Sequence, residues 1–212
     1  MSNYRAIANR YMMPTPAGAY YAATARSTDE PRKLLLTLFA QDESPLFDVE
    51  KLREWNIGGG DEGFFDLIHR MQKLGWIQGN QKKSAAPEGT LEEAVPEMLS
   101  TLSGSGKALL ADSQGFYLAT HGFPHEAAEE LSALSADLAM LRERHSGLLV
   151  NNLGLGMNAW GLVNASGNSQ LGFWPLYIGG HRFVLVLAGL PHLNQPAFTN
   201  LVWLLGRRYA DD

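Results

Sequence analysis

The sequence contains no cysteine, which removes disulfides, thiolate zinc sites and cysteine nucleophiles at once. It also lacks any apolar run of the length that crosses a bilayer. Its opening residues, MSNYRAIANRYMMPTP, have no continuous apolar core of the kind a secretory signal requires. Basic excess is missing too: 17 Lys and Arg stand against 22 Asp and Glu, a formal net charge of −5. Nucleic-acid binders usually present a basic surface. These absences set the expectation of a cytoplasmic protein without a membrane span and argue against nucleic acid as its partner.

Several chemical signatures are present only in part. SGSGKALLAD (103–112) has a glycine-rich turn and Lys107, but Ala108 stands where a phosphate loop needs Ser or Thr, and no glycine precedes Gly106 at the required spacing. A helix-like stretch precedes these glycines and an apolar run follows, the reverse of the strand-loop-helix order that aims a helix N-terminus at an anion. The turn reads as a corner. LGLGMN (153–158) lacks the third glycine of a dinucleotide fingerprint and opens a strand. His121, His125 and Glu129 are spaced four apart, as metal ligands on one helix would be, but Gly122 and Pro124 break the backbone between the histidines. Asp112 and Ser113 read as a hairpin turn, since no GxSxG nucleophile elbow occurs. Trp160, Phe173, Trp174 and Trp203 could line a pocket, although large aromatics usually belong to cores and interfaces. The expectation is therefore no catalytic residue, no cofactor and no metal.

What is present divides the chain at a polar, proline-bearing stretch, residues 81–89, which reads as a linker. Residues 1–28 show no clear period and read either as an arm or, at GAYYAAT (18–24), as a strand added to a neighbouring sheet. Residues 29–80 read as three helices. Asp29 and Pro31 open the first, with Leu34, Leu35, Leu38 and Phe39 on one face. Phe47, Val49, Leu52 and Trp55 make a short second. Asp61 opens the third, with Phe64, Phe65, Leu67, Ile68 and Met71, and Gly75 ends it. A short hairpin is expected to follow from Trp76-Ile77. This order resembles a winged-helix domain. Asp61, Glu62 and Asp66 on its third helix would repel phosphates, which favours protein interaction over DNA.

Residues 90–212 carry the sharper pattern. LEEAVPEMLSTL is a helix, and KALLA and FYLAT flank the turn Asp112-Ser113-Gln114-Gly115. A long helix runs from His125 to Arg144. Three strands follow, NAWGLVNA, QLGFWPLYI and HRFVLVLAG, with turns at Gly167-Asn168 and Gly179-Gly180. Pro175 is expected to bulge its strand or leave it partly at an edge. Asn194 is expected to cap a last helix bearing Phe198, Leu201, Val202, Leu205 and Tyr209.

The order α-β-β-α-β-β-β-α, with LLADSQGFYLATHGF at the first hairpin and AAEELSALSADLAML after it, resembles the roadblock family, relatives of dynein light chains and of bacterial GTPase regulators. The resemblance spans about Gly89 to Ala210. It implies an α+β fold with a five-stranded antiparallel sheet flanked by helices. It also implies homo- or heterodimers, and action as a scaffold or regulator of small Ras-like GTPases without enzymatic activity.

The long helix carries two stripes. Ala127, Leu131, Leu134, Leu138 and Leu141 form an apolar seam at intervals of four and three. Ala128, Ser132, Ser135 and Ala139 form a second, of small residues, about 100° round the helix. The leucine seam is expected to hold the helix to its own sheet. With the family resemblance added, the small stripe is expected to meet a second subunit, together with Asn158, Trp160 and Leu162 of the following strand. The leading expectation is a dimeric adaptor for a small Ras-like GTPase or signalling complex. A dimeric winged-helix transcription regulator and a small-molecule sensor are the rival readings.

Overall fold

The structure is a computed structural model that describes residues 9–26, 29–48, 54–55, 57, 61–156 and 158–210, without the side chains of Asp61 and Glu62. In chain order its elements are β1 (Tyr11–Pro14), α1 (Pro16–Ala23), α2 (Glu30–Phe39), α3 (Asp61–Lys73), β2 (Ile77–Asn80) and α4 (Leu91–Leu102). There follow β3 (Ala108–Ala111), β4 (Tyr117–His121), α5 (His125–Arg144), a π-helical stretch (Gly147–Asn152), β5 (Trp160–Val163), β6 (Ser169–Ile178), β7 (His181–Ala188) and α6 (Pro196–Tyr209).

From α4 onward the order is α-β-β-α-β-β-β-α, with the five strands in one antiparallel sheet, β4-β3-β7-β6-β5. The period-two pattern of the strands divides the core. Ala108, Leu110, Leu176, Ile178, Phe183, Leu185 and Leu187 point to the face covered by α4 and α6, whereas Leu109, Ala111, Phe173, Val184 and Val186 point to the face covered by α5. Thr90 and Glu93 close a reciprocal capping box at the start of α4, satisfying two backbone donors that a helix N-terminus otherwise leaves unpaired. Asp112 Oδ1 accepts from the backbone N–H of Gln114 (2.8 Å) and Phe116 (3.0 Å), which folds the β3–β4 turn. β5 pairs only with Ser169–Phe173 of β6. Pro175 therefore lies where β6 has a partner on one side only, the position at which a missing N–H is tolerated. The cap of α6 falls at Gln195 rather than Asn194, because Pro196 takes the first helical position with its φ already fixed for a helix.

The first half differs more from the sequence reading. GAYYAAT is not a strand: Thr15 caps α1 by accepting from Gly18 N–H, and Pro16 opens it. Its small side chains explain the choice, since Ala19, Ala22 and Ala23 are fully buried and a Cβ at Gly18 would collide with the Trp76 carbonyl. α2 and α3 bury the residues expected of them, Leu34, Leu35, Leu38 and Phe39, then Phe64, Leu67, Ile68 and Met71. α3 is followed by Gly75 at φ +69°, a conformation that favours glycine. The middle helix expected over Phe47–Trp55 lies largely outside the described residues; Phe47 and Asp48 are non-helical. No wing hairpin follows α3 among the described residues. β2 instead takes β1 as its antiparallel partner, Tyr11 opposite Asn80 and Pro14 opposite Ile77, because β1 alternates half-buried and buried positions while the residues after Asn80 are polar.

The stretch expected as a linker is pinned in place. Ala86 N–H donates to Asp42 O, Ser44 N–H to Ser84 O, and Ser84 N–H to Ser44 Oγ. α1 and α2 pack on α6, so one apolar core runs from Met12 through Leu35 and Phe39 to Trp203 and Leu205. α6 is buried all round over Leu201–Gly206, as a helix between a sheet and a second layer must be.

Candidate functional site

The corner at residues 103–106 is structural. Ser103 Oγ donates to Ala188 O (2.6 Å) and accepts from the N–H groups of Ser105 (3.2 Å) and Lys107 (3.1 Å). Lys107 lies directly ahead of β3, and no helix N-terminus opens at the glycines. His121 ends β4 and His125 opens α5. His125 Nδ1 lies 2.8 Å from Tyr117 Oη, and its Nε2 is 3.5 Å from Glu129. Among the described residues, no group of three His, Asp or Glu is placed to hold a metal ion.

Among the described residues, two cavities can be followed on the surface. The larger, about 550 Å³, is lined by Tyr11, Asp42, Glu43, Ser44, Glu54 and Lys83. Its charges are partly paired internally: Lys83 Nζ is 2.6 Å from Glu43, and Arg207 bonds Asp42. The Glu43 carboxylate holds the Lys83 amine above its ordinary pKa. The smaller cavity, about 90 Å³, lies where β5 diverges from β6 near Pro175, between Tyr20, Thr24, Asn158 and Trp174. Asn158 Nδ2 donates to Thr24 O (2.9 Å), and its Oδ1 is buried without a protein partner among the described residues.

Large apolar side chains are exposed on the outer side of α5 and on β5. The small stripe of α5 takes the inward place expected of the leucine seam. Ala128, Ser132, Ser135 and Ala139 are buried within the single chain, against its own sheet. The physical reason is volume. The sheet face supplies the bulk, through Leu109, Phe173, Val184 and Val186, so the helix comes close by offering small side chains. Burying the two serines leaves no hydroxyl unpaired, since Ser132 Oγ donates to Ala128 O and Ser135 Oγ to Ser132 O, each at 2.7 Å. The hairpin turn also backs onto this helix: a Cβ at Gly115 would stand 3.2 Å from Ala133 Cα.

The leucine seam is thereby turned sideways. Leu131 and Leu138 pack at the margin of the core with Trp160 and Leu171, and Leu134 and Leu141 remain exposed at 41% and 38%. β5, an outer strand of the sheet, leaves Leu162 and Val163 exposed at 61% and 63%. Of the other residues expected at an interface, Asn158 and Trp160 are half-buried and engaged within the chain, and Leu162 is open. Sequence reasoning missed Leu134, Leu141 and Val163 as surface residues, although a signal was available: residues 145–181 contain no Asp, Glu, Lys or Arg.

The far end of α5 is anchored by charge. Glu143 lies 3.2 Å from Arg182 and 3.4 Å from Arg26. Arg182 also donates to Ser113 O, and Arg26 stands over the Tyr177 ring.

No family model matches the chain, nor does any curated protein. Solved structures do. A Roadblock/LC7 domain from Streptomyces avermitilis is 15% identical over 56% of this chain and 93% of its own, with a TM-score of 0.35. MglB in a tetrameric arrangement is 19% identical over 59% of this chain and 94% of its own, with a TM-score of 0.37. The gliding protein MglB from Thermus thermophilus is 20% identical over 59% of this chain and 95% of its own, with a TM-score of 0.33. The class defined by the coordinates is an α+β protein whose antiparallel sheet has a helix on one face and a double helical layer on the other. Within it, residues 91–209 follow the element order that the roadblock resemblance implies.

Proposed function

We propose that this protein is a non-enzymatic, cytoplasmic, dimeric adaptor that regulates or scaffolds a small Ras-like GTPase or a signalling complex built on one. The observation that carries the dimer is the exposure of Leu134 and Leu141 on α5 and of Leu162 and Val163 on the edge strand β5. An exposed apolar edge strand without charge or proline is a template for another strand, and a contiguous apolar face on a soluble domain marks an interaction site. The GTPase partner rests on the resemblance of LLADSQGFYLATHGF and of the helix after it. The residues that meet a second copy are here Leu131, Leu134, Leu138 and Leu141 with Trp160, Leu162 and Val163. The stripe of small residues, buried in the single chain, is not assigned to that surface.

Residues 29–80, which the sequence reads as winged-helix-like, enter this reading as a protein-binding layer. Asp66, exposed on α3, continues to disfavour a phosphate backbone, although the acidic start expected at Asp61 and Glu62 lies outside the described side chains. The experiment is a titration of the purified protein into each small Ras-like GTPase of its own organism, following GTP hydrolysis and nucleotide exchange, with sedimentation equilibrium alongside. A wild-type dimer that changes one of those rates, and a Leu134→Arg/Leu141→Arg monomer that does not, is the expected outcome. A protein that alters no GTPase and instead retards one duplex sequence tightly at physiological salt would establish the transcription regulator in its place.

A further inference from the structure

The chain leaves α5 through an excursion with no evident use inside the monomer. After His145 it forms the π-helical stretch and a turn before reaching β5, and it places Leu148, Val150, Leu153 and Leu155 outward, at 50%, 38%, 58% and 52% exposure. The segment itself carries no Asp, Glu, Lys or Arg, because it lies within the run 145–181 that has none. Depletion of charge with retention of large apolar groups characterises the buried centre of protein interfaces.

The charges of α5 say how a second copy would meet it. The helix opens with Glu126, Glu129 and Glu130 and ends with Arg142 and Arg144. Two such helices running antiparallel place acidic starts beside basic ends, whereas a parallel pair sets like against like. The seam is self-complementary in that direction: a register that set Leu134 against Leu138 of a second copy would also set Leu131 against its Leu141 and Glu130 against its Arg142. In the same register, the segment following each helix C-terminus lies beside the first turns of the other helix.

We infer that residues 146–155 form an inter-subunit clasp, with Leu148 and Leu155 covering Ala127 and Leu131 at the start of α5 of the partner subunit. This inference rests on the dimer proposed above, and it names a contact which that reading does not require.

The absence of native cysteine makes a clean test. Ala127 and Leu148 lie at opposite ends of α5, about 30 Å apart in one chain at the rise of a helix, too far for a disulfide within a chain. The variant Ala127→Cys/Leu148→Cys, mildly oxidised, should run as a covalent dimer on a non-reducing gel, and Phe116→Cys at the β4 edge of the sheet should not. Leu148→Asp/Leu155→Asp should keep the wild-type circular dichroism, since both positions are exposed in the monomer. It should dissociate at least about tenfold more readily, as the loss of buried apolar anchors does. A dimeric wild type that forms no covalent species, or whose dissociation constant ignores both aspartates, overturns the clasp and leaves the dimer standing. A monomeric wild type removes both. Co-sedimentation with phosphatidylcholine–phosphatidylserine vesicles, abolished by the same aspartates while the dimer persists, would also overturn the clasp and assign these leucines to a lipid surface.

Discussion

Gly206 lies directly against Phe39: a Cβ at Gly206 would stand 2.8 Å from the Phe39 carbonyl oxygen and 3.0 Å from its Cβ. Around this contact Trp203 Nε1–H donates to Gln41 O (2.8 Å) and Arg207 to Ala40 O (2.7 Å). The last helix of the chain is thus closed onto the end of α2, and the first half of the sequence supplies the outer wall of the second half's core.

That closeness sets two opposed expectations for Gly206→Ala. Helix propensity alone favours alanine by about 1 kcal/mol. The missing space favours glycine, since overpacking a core typically costs about 1–3 kcal/mol. We expect the packing effect to win, with a lower urea midpoint and one shared transition for both halves. A raised midpoint would refute the contact.

The inward place of the small stripe on α5 separates two substitutions one residue apart. Ser135→Arg places a charge at a buried position of the helix, where an unpaired buried charge costs on the order of 3–5 kcal/mol. It should unfold the chain or leave it insoluble. Leu134→Arg, on the open seam, should stay folded by circular dichroism and lose self-association in sedimentation equilibrium. A folded, monomeric Ser135→Arg protein would restore the small stripe as the interface.

Ser103 holds the corner that precedes β3, so Ser103→Ala should destabilise the chain by about 1–3 kcal/mol, the range for leaving buried polar partners unpaired. Lys107→Ala should change stability little. Neither ATP nor GTP should bind the wild-type protein in calorimetry, because the turn offers no helix N-terminus and no hydroxyl after the lysine. Lys107-dependent nucleotide binding would contradict this.

Burial pushes the phenol of Tyr20 above its ordinary value. Burial, and then the hydrogen bond and charge of Asp29, do the same for Tyr21. With the folded value above the unfolded one, the neutral phenol's contribution is complete below the unfolded pKa near 10 and is lost as pH rises through the folded value. Stability should therefore fall in alkali. Tyr20→Phe should match the wild type at neutral pH and lose less between about pH 9 and 11. Identical alkaline slopes for the two proteins would show that Tyr20 does not titrate with unfolding.

Much of residues 90–212 was legible because the relevant forces are local. Strands alternate every second residue, turns carry Asp112–Gly115, Gly167 and Gly179, and α5 begins after Pro124. The first half was less legible because its pairings span the chain. Nothing near Tyr11–Pro14 announces that its partner is Ile77–Asn80, and Ala19, Ala22 and Ala23 make a helix face only where Trp76 and α6 come close. Asn194 was read as a cap on its own merits, whereas the proline two residues on decided where α6 begins.

The sequence by itself determined the element order of the second half, the angle of about 100° between the two stripes of α5, and the failure of the Lys107 turn as a phosphate loop. All of these follow from periodicity, chirality and covalent chemistry within a few residues. Only the tertiary structure decided which stripe faces inward. A period defines the spacing of two faces round a helix but not the volume waiting beneath either one. Here Phe173, Leu109 and the valines of β7 fill that volume, so Ala128, Ser132, Ser135 and Ala139 turn in, and Leu134 and Leu141 are left at the surface.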